Sequence, residues 1–145
     1  MKIHLFNSQA AIPVRAPYWR KLIKEIAAHE EQKFAEFTLH FVDSAEISRL
    51  HQEFFDDPSI TDCISFPIDD TDTPYRVLGE VFVCPEVAVE FAASHCENPL
   101  KETALYVVHG LLHLFGYDDI KEKDRRRMKN KEKELMTYLT SKGFF

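Results

Sequence analysis

Between Glu102 and Phe115 the chain places Ala104, Leu105, Val107, Val108, Leu111, Leu112, Leu114 and Phe115 on nearly every side of a helix. A helix that is apolar all round belongs in the interior, so the remaining elements must pack around it. Gly116 is positioned to end it as a C-cap glycine. Two residues interrupt the apolar coat. His109 and His113 stand four apart, so on a helix they project from one face.

The flanking sequence supplies the other layers. Ile3 and Leu5 alternate with polar neighbours over Lys2 to Asn7, the pattern of a strand. Leu22, Ile23, Ile26 and Ala27 recur at helical spacing from Pro17 to about Gln32. Phe37, Leu39 and Phe41 mark a second strand, and Asp43 with Glu46 resembles a capping box opening a helix through Ile47 and Leu50. Ile64 and Phe66 predict a short strand ended by Pro67, and Val77 to Cys84 another, with Gly79 a bulge or close-approach point. A helix opens at Pro85 and runs to about His95; a last amphipathic one spans Lys121 to Leu139. The expectation is an α/β (α+β) layer fold, a single domain over residues 1–145. It has a small mixed, mostly antiparallel sheet and one buried helix carrying the histidines.

Composition removes several classes of function. The formal charge is −6, so any nucleic-acid binding must use a local basic patch. One stretch qualifies: Lys121, Lys123, Arg125, Arg126, Arg127, Lys129, Lys131 and Lys133, diluted by Glu122, Asp124, Glu132 and Glu134. The same pattern also describes an ordinary solvated helix face. Three cysteines, an odd number without a CxxC pair, point to reduced thiols and a cytoplasmic location. No segment has the character of a signal peptide or the roughly 18 apolar residues of a membrane span.

Two imidazoles at i and i+4 can reach one zinc ion at about 2.0–2.1 Å. After Gly116 the chain presents Asp118 and Asp119, and a carboxylate there would complete three protein ligands with a fourth position open to water. Catalytic zinc sites have that form. A His-x3-His pair also arises by chance, but buried histidines need partners for their ring nitrogens, and a metal serves both. The protease pattern H-E-x-x-H places its general base after the first histidine, where this chain has Gly110, so peptide hydrolysis is disfavoured.

The run HGLLHLFGYDD, His109 to Asp119, resembles the H-G-x-L-H-L-x-G-Y-D-H signature of the YbeY endoribonucleases. TDCISFP, Thr61 to Pro67, resembles their T-D-V-L-S-F-P segment, and LGEV, Leu78 to Val81, their L-G-D-I. The resemblance implies a cytoplasmic bacterial hydrolase with one zinc ion per chain, held by His109, His113 and Asp119. It also implies cleavage of single-stranded RNA, in ribosomal RNA 3′-end maturation and ribosome quality control, with the small ribosomal subunit as a partner and no membrane. The alternatives are a ribosome-assembly factor with weak or no nuclease activity, and a metallopeptidase. No residue is assigned as general base or nucleophile.

This sequence departs from the family pattern twice. Asp119 replaces the usual third histidine, which adds a negative charge and makes manganese or magnesium more competitive. Phe55 stands where relatives tend to carry an arginine suited to a phosphate; Arg49 and Arg76 are the candidate substitutes. Asp118 could orient a ligand histidine or cap local backbone. Glu80 reads as a base or as an ordinary strand residue. Ser65 reads as structural, and Cys96 beside His95 as weak ground for a second metal site.

Overall fold

The computed structural model describes residues 1–145 in nine elements: β1 (Lys2–Asn7), α1 (Ala16–His29), β2 (Glu36–Phe41), α2 (Ser44–Phe55), β3 (Cys63–Pro67), β4 (Val77–Val83), α3 (Pro85–His95), α4 (Pro99–Leu114) and α5 (Glu122–Ser141). The strand order is β1-β2-β4-β3. The sheet is mixed, but β1/β2 and β2/β4 are parallel and only β3/β4 is antiparallel, so the expected antiparallel weighting is corrected. The connections explain it. α1 lies between β1 and β2, a helical crossover that returns the chain parallel, whereas α2 carries it from β2 to β3 at the sheet edge, which runs opposite to β2. β3 reaches β4 through the loop Ile68–Arg76 with no helix, and so pairs antiparallel.

Two helices begin or end away from their expected bounds. α1 closes at His29 rather than Gln32, because Glu31 adopts a positive φ of 53° that reverses the chain. α4 starts at Pro99, a turn before Glu102, because the Asn98 side chain accepts from Leu100 N at 2.9 Å and Pro99 suits the first turn. α2 opens as its sequence predicts, with the Asp43 carboxylate accepting from Glu46 N at 2.9 Å.

The inner face of the sheet carries Phe37, Leu39, Phe41, Leu78, Val81 and Val83, all essentially inaccessible to solvent. These join Leu22, Ile23 and Ile26 of α1, Val107, Val108, Leu111 and Leu112 of α4, and Met128, Leu135 and Leu139 of α5 in one continuous core. A smaller cluster of Val42, Ile47, Leu50, Ile64 and Cys84 seats α2 on the other side. α4 packs on β3 and β4 as well as on α3 and α5, which makes it the central helix.

Gly110 sets how closely α4 approaches the sheet. A Cβ at that position would lie 2.6 Å from Val81 Cγ1 and 3.0 Å from Cys63 Sγ. The absence of a side chain lets the helix rest on β4 and puts the next-door histidine at the mouth of a cleft. No helix of the structure is long and apolar enough to cross a membrane.

Candidate metal centre and its cleft

His109 and His113 leave α4 on the same face, as their spacing requires, and their Nε2 atoms lie 3.1 Å apart. Each ring is fixed from behind. His109 Nδ1 is 2.6 Å from Glu132 Oε1 on α5, and His113 Nδ1 is 3.1 Å from the Tyr117 carbonyl. A carboxylate and a carbonyl can only accept, so both Nδ1 atoms carry the proton and donate. Neutral rings in that tautomer turn both Nε2 lone pairs toward each other.

The turn after α4 follows from Gly116. It has a positive φ of 102°, with Gly116 N donating to His113 O and Tyr117 N to Leu112 O, the two bonds of a Schellman motif. That turn aims the Tyr117 carbonyl back at His113. It also brings Asp119 Oδ2 to 3.3 Å from His113 Nε2 and 3.8 Å from His109 Nε2. The Asp118 carboxylate accepts from Asp119 N at 2.7 Å and Ile120 N at 3.1 Å, so it caps the loop backbone rather than orienting a histidine. Arg125 pins the same loop by donating to the Asp119 and Ile120 carbonyls, each at 3.3 Å.

Two lone pairs and a carboxylate oxygen converging in this way call for a cation, either a proton shared by the rings or a metal ion. Tetrahedral zinc, with ligands at about 2.0–2.1 Å, separates them by about 3.3 Å, close to the three spacings seen. His109, His113 and Asp119 therefore suit a divalent metal by donor type and by spacing. Their electrostatics agree. Burial disfavours a charged His109, but the Glu132 hydrogen bond and the charges of Glu132, Asp62 and Asp119 outweigh it and hold its pKa above the ordinary imidazole value.

The three groups open into a cleft of about 630 Å³ that is also lined by His51, Phe55, Thr61, Asp62, Cys63 and Ser65. A smaller pocket of about 290 Å³ adjoins it at Asp62, Cys63, His109 and Asp119, and is walled by Arg125, Lys129 and Glu132. Burial pushes the Cys63 thiol up, with Asp62 adding to the effect, so it stays a protonated thiol. Ser65 Oγ donates to the Gly110 carbonyl at 3.2 Å, a structural tie between β3 and α4.

Neither candidate arginine reaches the cleft. Arg49 is bound by Glu46 and Glu53, each at 2.8 Å, and the buried Arg76 is held by Gln32 and the Lys33 carbonyl. Glu80 faces the other side of the sheet, 2.8 Å from His40 Nε2, and Cys96 is exposed. Glu132 is the residue that sequence reasoning missed. In the sequence it is one acid among the bases of a charged helix, and only a count from the apolar anchors Met128 and Leu135 of α5 turns it inward. A second acid–imidazole cluster, His29, Glu30 and Glu134, is occupied by Lys131, whose Nζ lies 3.3 Å from Glu30 and 2.8 Å from Glu134.

A family model described as Endoribonuclease YbeY matches residues 4–140. An Endoribonuclease YbeY of Protochlamydia amoebophila is 51% identical over 119 residues, covering 81% of this chain and 79% of its own. That of Chlamydia pneumoniae is 34% identical, covering 98% and 93%. The solution structure of a Thermotoga maritima protein superposes with a TM-score of 0.63 at 25% identity, covering 98% of this chain and 94% of the other.

Proposed function

This chain belongs to the YbeY endoribonuclease family, and from that premise we propose that it cuts single-stranded RNA at a metal centre of His109, His113 and Asp119. The observation that carries the reading is the convergence of two Nε2 atoms and Asp119 Oδ2, with both Nδ1 atoms tied back to acceptors. We assign one zinc ion per chain, as two imidazoles suit zinc, while the oxygen ligand leaves room for manganese or magnesium.

A divalent metal at this position supplies Lewis acidity toward a phosphoryl oxygen and lowers the pKa of a water. The protein's own residues do the rest. Glu132 holds His109 in the tautomer that presents Nε2, and Tyr117 does the same for His113. Asp118 and Arg125 keep the Asp119 loop in place. Lys129, on the wall of the adjoining pocket, offers its ammonium to an RNA phosphate. Gly110 keeps a glutamate base out of the peptidase position, and the gap beside Val81 leaves no room for one.

Residues 1–145 act as one domain in this reading, supported by the continuous core. We place the work in the cytoplasm, supported by three free cysteines, and on ribosomal RNA 3′ ends at the small ribosomal subunit. The test is cleavage of a labelled single-stranded RNA by purified protein, with and without EDTA, beside metal analysis per chain. Slow cleavage abolished by chelation is expected. Cleavage at full rate in chelator refutes the metal centre, and RNA binding without any cleavage favours an assembly role.

A further inference from the structure

The cleft has one wall that the metal centre does not explain. Phe55 ends α2 with 54% of its surface exposed, and Phe54 beside it is 56% exposed, an expensive place for two phenyl rings. Phe55 and His51 line the same cleft as His109, His113 and Asp119. The ring of Phe55 is backed rather than loose: Phe66 lies at 6.2 Å with an interplanar angle of 28°, and His51 at 5.6 Å. His51 is itself fixed, with Nδ1 2.9 Å from the Ser59 carbonyl, and Phe54 packs edge-on against Phe66 at 4.9 Å.

We propose that Phe55, braced by His51 and Phe66, is the platform on which one unpaired RNA base stacks beside the cleaved bond. The proposal rests on the nuclease reading for its ligand and adds the group that grips the base. Two features select RNA over other occupants. The aromatic wall is continuous with the metal ligands, and on the far side of those ligands Arg125 and Lys129 line the adjoining pocket. A nucleotide has that division, an aromatic base at one end and a phosphate at the other. Every base has a π-face, so such a platform grips a strand with little regard to sequence, and a paired base cannot reach it.

The test uses a fluorescent single-stranded 2′-O-methyl octamer, checked by gel to stay intact during the measurement, with zinc present and again in EDTA. Phe55→Ala should bind about tenfold more weakly than the parent, about 1.4 kcal/mol, with the fold retained and only a small drop in melting temperature, because half of the ring is exposed. Phe55→Trp should restore binding, and its fluorescence should fall on adding the octamer. Trp19, 1% exposed, contributes only a constant background. An octamer made abasic at the stacked position should lose the difference between parent and Phe55→Ala. The proposal is overturned if Phe55→Ala binds within twofold of the parent, if no abasic position erases the difference, or if no RNA binds at all. A ring reserved for a protein partner would give the first of these results. Chelator-sensitive cleavage of ordinary RNA with unchanged Phe55→Ala binding removes the platform and keeps the nuclease. Ring-dependent binding without cleavage does the reverse.

Discussion

The Glu132 carboxylate on α5 accepts the Nδ1 proton of His109 on α4 at 2.6 Å, which locks the ring with Nε2 facing His113 and Asp119. Carboxylate–imidazole pairs of this kind raise ligand basicity and fix orientation. Glu132→Gln should therefore weaken metal binding by roughly 10–100-fold while leaving the fold intact. Isothermal titration of metal into the two proteins checks it; equal affinities would make Glu132 an incidental neighbour.

The same pair sets a pH dependence in metal-free protein. The pKa of His109 is raised in the folded state, so its contribution to stability is complete below the unfolded value of about 6.5 and is lost as pH rises through the higher folded value. In EDTA, the melting temperature should fall from mildly acidic to neutral pH by more in the parent than in Glu132→Gln. An NMR titration should find the His109 ring titrating above the ordinary imidazole range in the parent and lower in the variant. Identical titrations would remove Glu132 as the cause.

His113→Ala should lose most of the bound metal, since one of the three proposed ligands goes and no neighbour replaces it. Asp119→His should keep the metal and shift preference toward zinc, because imidazole suits zinc better than magnesium or manganese. A neutral ligand leaves more of the ion's charge unscreened, so cleavage should extend to lower pH. Metal content and the pH profile of RNA cleavage test both. Asp119→Ala with undiminished metal would exclude the carboxylate from the ligand set.

Gly110→Ala should cost about 1–3 kcal/mol, the usual range for overpacking. Its new methyl would meet Val81 Cγ1 at 2.6 Å, and both helix and strand are buried. Denaturant unfolding measures the loss. A parent-like midpoint would mean that α4 can lift from β4 without penalty.

The basic stretch divides by contact. Arg125 holds the Asp119 loop, Arg127 lies 5.0 Å over the Tyr117 ring, and Arg126 meets only Glu122 at the surface. Arg126→Ala should flatten the salt dependence of RNA binding by about one unit of slope at parent stability. Arg125→Ala should also lower metal affinity, because it frees the ligand loop. If the Arg126→Ala slope equals the parent's, that side chain is solvated rather than bound to phosphate.

Local order made much of the site legible in the sequence. The His109–His113 spacing places both rings on one helical face whatever surrounds it, and Gly116 forces the turn that delivers Asp119, because only glycine adopts its φ of 102° without strain. Strand alternation in Phe37, Leu39 and Phe41 marked the buried face for the same reason, a period of two residues fixed by the backbone. Helix ends were less legible where a cap rather than periodicity decides them, as Asn98 and Glu31 show.

What the sequence by itself determined is the pair of histidines, the glycine turn and the apolar helix between them, since each follows from dihedral preferences and periodicity within a few residues. What only the tertiary structure decided is the partner of each ring and the walls of the cleft. Glu132 lies 23 residues beyond His109, and it becomes the acceptor only because α5 packs against α4 with that side turned inward. Phe55 meets the same cleft from a third helix. The parallel pairing of β1, β2 and β4 was likewise set through space, by one crossover through α1 and by two reversals, through α2 into β3 and back into β4. Hydrogen bonds and pockets of this kind depend on the angle and distance at which separate elements dock, and those depend on the packing of the whole core at once.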